Sequence, residues 1–398
     1  MVSKMRRISL AAKEMLERKI IPFWMHMRDE EYGGYYGFLS QELVLDRKAE
    51  KGCILNSRIL WFFSEASLLL EREDLRKEAD HAYAFLTDYC IDRSNGGIYW
   101  SMTYDGKPLD TTKHTYNQAF AIYALSAYYR LTGKEEALKL AQELFGLIEK
   151  HCTDSVGYLE AFTADWQPES NEKLSENGVM ADKTMNTLLH VFEGYAGLYQ
   201  AAGDPSVKKA MEHILDIYAE KIYDAGLRRQ LVFFDAEYHS IIDLYSYGHD
   251  IESSWLIDWG CGLLEDDALC KKISAINEEM AQAVYEAAFD GHSLANECDK
   301  GVVDETRVWW VQAEAVLGFV NLWGKNSARV EYKDAAAEIY RFILDYVVDK
   351  REGSEWFGYL DAKGSPIPEK PIVEPWKCPY HNGRMCMELI RKDPEIYV

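Results

Sequence analysis

The sequence predicts an all-α chain, with about twelve helices paired into six hairpins and closed as one (α/α)6-barrel domain over residues 1–398, with short β-segments in the loops. Two observations carry this expectation. Apolar residues recur at helical spacing a dozen times along the chain. Most helix pairs are followed by a short segment rich in Gly and aromatic residues, so the pattern repeats about every 60 residues. A repeat of this kind cannot bury its apolar face alone and needs its neighbours. An open helical solenoid and a closed ring both satisfy that need. The strand-like inserts favour the ring, because TPR or HEAT arrays have short polar turns there and shorter periods.

Taken in order, helices are expected near 5–24, 54–72, 75–91, 115–132, 134–152, 179–203, 206–222, 250–264, 267–288, 305–324, 328–349 and 379–391. The inserts are "GGYYGFLS" (33–40), "NGGIYWSM" (95–102), "VGYLEAF" (156–162), "GLRRQLVFFD" (226–235), "GHSLANE" (291–297) and "SEWFGYLD" (354–361). Glycine with alternating aromatics reads as short strands and turns. In a closed ring the even-numbered helices and the long loops would line a central cleft.

With 44 basic against 66 acidic residues the chain carries −22, so no basic stripe is left to neutralise the phosphates of nucleic acid or an anionic membrane. The expectation is no nucleic acid and no membrane partner, since no run of 18 apolar residues stands out. The N-terminal stretch turns charged again at Lys13 and Glu14, which reads as an amphipathic helix and not a signal peptide. Eight scattered cysteines without C-x-x-C read as free thiols in a reducing cytoplasm.

The chemistry is read from polar residues that interrupt apolar helices. "ADKTMNTLLHVFEGY" (181–195) spaces Asp182, Asn186 and His190 at i, i+4 and i+8, on one helix face beside Met185, Leu189 and Phe192. "ILNSRILWFFSEA" embeds Arg58 among apolar residues, where it must pair with an acid or face water. "RVWWVQAEAVLGF" sets Arg307, Trp310 and Glu314 on one face. "SYGHDIESSW" brings His249 and Glu252 to a helix start, "HTYNQAFAIYAL" does so for His114, Tyr116 and Asn117, and "PWKCPYHNGRM" carries Trp376, Tyr380 and His381. There is no H-E-x-x-H, no G-x-G-x-x-G after a strand, no Walker pattern and no G-x-S-x-G, so neither a metal nor a nucleotide cofactor is expected. What remains is His, Arg, Glu, Asn, Tyr and Trp, the residue set of a sugar site. Aromatic faces stack on pyranose C–H surfaces, and imidazoles with ordinary pKa near 6.5 move protons near neutrality.

The blocks "SRILWFFSEA", "KHTYNQAFAIYAL", "ADKTMNTLLH", "SYGHDIESSWL", "TRVWWVQAEAV" and "EPWKCPYHNGRMCME" resemble the cellobiose 2-epimerases of the N-acylglucosamine 2-epimerase superfamily, along nearly the whole chain. The resemblance implies an (α/α)6 barrel that inverts C2 of the reducing-end glucose of cellobiose, lactose and related β-1,4 oligosaccharides, without redox cofactor or metal. It implies ring opening, deprotonation at C2 to a cis-enediolate and reprotonation on the opposite face. His249 and His381 would be the acid/base pair and His190 would assist ring opening. Glu252 would orient His249, and Arg58 would lie where negative charge develops. Asn186 and Tyr116 would contact the ring, Trp310 and Trp376 would stack on sugar, and Glu314 would lie near the site. Asp182 rests on spacing alone. A monomer or weak homodimer in the cytoplasm is expected. The rivals are another 2-epimerase or an aldose–ketose isomerase on the same fold, a glycoside hydrolase, which needs two carboxylates flanking the bond, and a non-catalytic helical scaffold.

Overall fold

The structure is a computed structural model describing residues 6–398, so residue 5, where the first expected helix begins, lies outside the described residues. Helices α1 (Ile8–Met15) and α2 (Ile21–His26) form one rod through a π turn. There follow α3 (Cys53–Leu70), α4 (Glu73–Phe85), α5 (Thr115–Thr132), α6 (Glu135–His151), α7 (Met185–Ala202), α8 (Pro205–Ile217), α9 (Tyr247–Cys261), α10 (Asp267–Ala288), α11 (Trp309–Lys325), α12 (Val330–Phe342) and α13 (Tyr380–Lys392).

Two kinds of helix alternate, and their sequences say why. An outer helix such as α8 buries one stripe, Val207, Ala210, Met211, Ile214 and Leu215, at the three-and-four spacing of an amphipathic helix. An inner helix such as α3 is apolar nearly all round and is buried from Cys53 to Ser67. The inner helices pack in the cyclic order α3, α5, α7, α9, α11, α13 and back to α3. That closure selects the ring over the solenoid: the fold is an (α/α)6 barrel. Close approach is enforced where side chains are missing. A Cβ on Gly194 of α7 would lie 2.6 Å from the carbonyl oxygen of Ala119 in α5, backbone that cannot swing aside. By length and composition α3 is apolar enough to cross a membrane, which the sequence reading had not expected, but 83% of that window is buried inside the ring.

Each outer helix reaches the next inner helix through a long loop, so the long loops gather at the N-terminal ends of the inner helices. A short strand in one loop pairs with the next loop: 51–52 with 101–102, 113–114 with 161–162, 183–184 with 233–234, 244–246 with 297–299, and 307–308 with 359–360. A bridge between Leu39 and Val373 makes the sixth link and joins last loop to first. The loops are pinned by a recurring device. Asp29, Asp92, Asp154 and Asp290 each cap a turn and take a buried cation from the residues just ahead of an inner helix: Lys51 at 2.6 Å, Lys113 at 2.8 Å, Lys183 at 2.7 Å and Arg307 at 2.8 Å. Gln118 and Gln312 add a two-way clasp, each bonding both backbone groups of one loop residue, Ile98 and Leu294.

Two expected helices begin too early. Residues 183–184 and 307–308 are strand, so α7 starts at Met185 and α11 at Trp309. Arg307 is therefore not on a helix face with Trp310 and Glu314; it is a buried partner of Asp290. All eight cysteines are free, as expected, and six are buried.

Candidate active site

A cavity of about 330 Å³ opens at the loop end of the ring, over the N-terminal turns of the inner helices. The register of those helices builds it. Tyr116, Asn186, Trp310 and His381 are the second residues of α5, α7, α11 and α13, and His249 is the third of α9. One turn deeper come Arg58, His190, Glu252 and Glu314, each the sixth residue of its helix, and Arg384, the fifth of α13. Residues four apart share a helix face, so both layers point to the barrel axis. Arg58, Tyr116, Asn186, His190, His249, Glu252, Trp310, Trp376 and His381 all line the cavity, as the sequence reading required.

The three histidines share one arrangement. His190 Nδ1 bonds Glu193 Oε2 at 2.9 Å, His381 Nδ1 bonds Glu314 Oε1 at 2.7 Å, and His249 Nδ1 meets Ser246 Oγ at 2.7 Å. In each ring the Nδ1 side is occupied and Nε2 is left without a protein partner among the described residues. A carboxylate on Nδ1 holds the proton there, so Nε2 of His190 and His381 carries a lone pair in the neutral ring. Ser246 can donate or accept, so His249 can present either a base or an N–H. Trp310 sits between the outer two, its ring centroid 4.8 Å from His249 and 5.4 Å from His381.

Burial dominates the electrostatics. It pulls the His190 and His249 imidazoles down to about 3 and His381 well below its ordinary value, outweighing the nearby Glu252 that favours charge on His190 and His381. The expectation of imidazoles titrating near 6.5 is thus corrected: burial favours their neutral form. Arg58 is the counterpart. It lies under the cavity with no ion pair among the described residues, donates to Tyr116 Oη at 2.7 Å, and packs on the rings of Phe120 and Tyr380 at 4.1 and 4.8 Å. It is a guanidinium facing the cavity, not half of a buried ion pair.

Three sequence-based assignments change. Asp182 is exposed and precedes the strand at 183–184, off the helix that would have aligned it with Asn186 and His190; it does not line the cavity. Glu252 does not serve His249. It bonds Arg384 and lies 3.8 Å from His381 Nδ1, because the sixth position of α9 faces the barrel axis whereas Ser246 lies directly ahead of α9. Glu314 is fully buried behind His381, where it accepts from that ring, from Trp255 Nε1 at 2.9 Å and from Arg384, and so lies below the cavity lining. Glu252, Glu314 and His381 bring metal-type ligand atoms within 4.8 Å of one another, but the cation that the two carboxylates share is the guanidinium of Arg384.

Sequence reasoning missed Glu193, Ser246, Arg384 and the rim residues Lys173 and Glu297. Two of these had a readable signal. Glu193 stands three residues after His190, and Arg384, like Arg58, is an arginine in an otherwise buried helix.

The family model described as N-acylglucosamine 2-epimerase (GlcNAc 2-epimerase) matches residues 33–383. The chain belongs to this family. Among curated relatives, a cellobiose 2-epimerase of Eubacterium cellulosolvens is 51% identical, over 96% of this chain and 98% of its own. A solved sugar epimerase from a ruminal bacterium superposes with a TM-score of 0.96 at 46% identity, covering 98% of this chain and 100% of that one. The cellobiose 2-epimerase structure from Bacillus thermoamylovorans B4167 gives 0.94 at 42% identity, covering 96% and 99%.

Proposed function

We propose that the chain is a carbohydrate isomerase that interconverts glucose and mannose at the reducing end of cellobiose by inversion at C2, and that lactose and longer β-1,4 oligosaccharides enter the same cavity. The observation that carries the reading is the pair of imidazoles, His249 and His381, facing one cavity from α9 and α13 on either side of Trp310, each with a free Nε2.

Inversion by proton transfer needs a base on one face of C2 and an acid on the other. This takes one ring neutral, to accept the C2 proton, and the other protonated, to give one up and become neutral, and the roles exchange for the reverse reaction. His381, polarised by Glu314, is suited to take the proton. His249, with a hydroxyl on Nδ1, is suited to give one. His190 lies one turn deeper and faces the same cavity, placed to pass a proton to the ring oxygen or O1 as the pyranose opens. Loss of the C2 proton leaves an enediolate, and Arg58 is the cation that meets it. A fixed donor aimed at a developing oxyanion lowers the barrier by about 3 kcal/mol. The N-termini of the six inner helices point the same way and add positive potential. No step requires a redox cofactor or metal. Trp310 and Trp376, both lining the cavity, offer flat faces to sugar rings. The eight free thiols support a reducing, cytoplasmic setting.

The test is turnover of cellobiose by His249→Ala and His381→Ala. Each variant is expected to lose at least about 100-fold in kcat, the lower bound for a positioned acid or base, while its circular dichroism and melting match the parent chain. Near-normal turnover by either variant refutes the two-histidine reading.

A further inference from the structure

Behind the cavity, one arginine joins the supports of two histidines. Arg384 lies on α13, one turn past His381, and is 2% exposed. Its Nη1 donates to Glu193 Oε1 at 2.7 Å and bonds the Tyr380 hydroxyl; its Nη2 donates to Glu314 Oε1 at 2.8 Å and to Glu252 Oε1. Glu193 is the carboxylate on His190 Nδ1, and Glu314 the one on His381 Nδ1. The guanidinium plane rests on the rings of Tyr380 and Trp255, at 4.2 and 4.9 Å. One side chain from α13 thus reaches carboxylates on α7, α9 and α11.

We propose that Arg384 is a positioning residue for both His190 and His381: its guanidinium holds Glu193 and Glu314, and those two carboxylates hold the Nδ1 side of each ring. The inference rests on the proposed function only in naming what the two rings are positioned for.

Three features support it. Arg384 does not line the catalytic cavity; it lines a separate cavity of about 260 Å³ among Trp61, Tyr123 and Trp255, toward the far turns of the inner helices. It therefore acts on the reaction only through other groups. The job needs a fork: two nitrogens bond carboxylates on opposite sides, which a lysine ammonium on a flexible stem does not reproduce. The charges require a cation here. Glu193, Glu252 and Glu314 are fully buried within one cluster, and Arg384 is the guanidinium bonded to all three. Without it each carboxylate would be an uncompensated buried anion.

The electrostatic consequence has a definite sign. The charged groups facing His381 are Glu314 and Glu252, Arg384 and Arg58, with His190 and the Tyr380 hydroxyl beside it. Those facing His190 are Glu193 and Glu252, with Arg58 and Arg384. Removing one cation from either set leaves the carboxylates in excess, and carboxylates favour the charged imidazole. Both rings then take up a proton at higher pH.

The experiment uses Arg384→Met and Arg384→Lys in the full chain, with two readouts. The first is kcat and KM on cellobiose. The second is the titration of the His190 and His381 rings by ¹⁵N NMR, which needs no substrate. For the methionine variant, kcat is expected to fall about 100-fold, the scale of a 1 Å misplacement, with KM changing less than kcat. Both ring titrations are expected to move up by at least about one pH unit, with the lysine variant intermediate. If the methionine variant does not fold, the lysine variant alone decides. A folded variant whose ring titrations match the parent, even with a lower Tm, marks a purely structural residue and overturns the proposal. Failure of the chain to turn over cellobiose would leave the titrations to decide, so the two claims fail separately.

Discussion

His114 sits against the tilted ring of Trp100, fully buried, with neither ring nitrogen hydrogen-bonded. Burial pulls it down to about 3 from an ordinary 6.5. Between those values the unfolded chain binds a proton that the folded chain refuses, so acidification through that window favours unfolding by up to about 1.4 kcal/mol per pH unit for each such ring. His190 and His249 behave alike. Glu160 and Asp250, raised to about 7 by burial, oppose them: they stabilise most below their unfolded values and lose that contribution as pH rises to about 7. Replacing one group isolates its part. His114→Phe is expected to gain stability relative to the parent as pH is lowered from 6.5 towards 4, read by denaturant melts; a pH-independent difference would contradict the buried neutral ring. At this scale the sequence was legible where a polar residue stood alone in an apolar helix, as Arg58 and His190 do. It misled where the partner was inferred from proximity along the chain. Glu252 was matched to His249 three residues away, yet its acceptor atoms face α13, and the group on His249 is Ser246, three residues in the other direction.

At the scale of elements, one register explains most of the site. Positions two and six of the inner helices recur as inward-facing residues, and the strand-plus-cation device before four of them sets where counting begins. Lys113 illustrates it. Its ammonium is buried against Asp92 and the Ala164 carbonyl, immediately ahead of α5, which carries Tyr116. Burial would raise the Asp92 carboxyl, but Lys113 and the turn amides outweigh it and hold it at about 2. Lys113→Met leaves that charge buried and unpaired, which costs about 3–5 kcal/mol. A thermal melt should show the loss, and a change under about 1 kcal/mol would mean the pair is not structural. The helices and their inserts were readable from periodicity, and 115–132 and 267–288 match α5 and α10. Where a strand runs straight into a helix, as at 183–185 and 307–309, apolar spacing continues across the junction and hides it. That junction is why Asp182 was placed on a helix that starts three residues later.

For the whole molecule, closure is what creates function. The pairings run from each long loop to the next, across 40 to 60 residues of chain, and end with Leu39 on Val373. Pairings at that separation leave no local trace, so the rhythm of about 60 residues favoured a ring without fixing it. Once closed, the ring brings His249 within one cavity of His381, 132 residues away in sequence, above Arg58 from α3. A chain of net charge −22 thereby places the Arg58 guanidinium in the cavity where an enediolate would form. On the proposed reading, a proton leaves one face of C2 and another arrives on the opposite face from the paired imidazoles. The most direct measurement is ¹H NMR of cellobiose incubated with the chain in D2O. The expected result is a glucosyl-mannose product with deuterium at C2, absent when His249 or His381 is alanine. A glucosyl-fructose product alone, or mannose whose C2 keeps its protium, would contradict it.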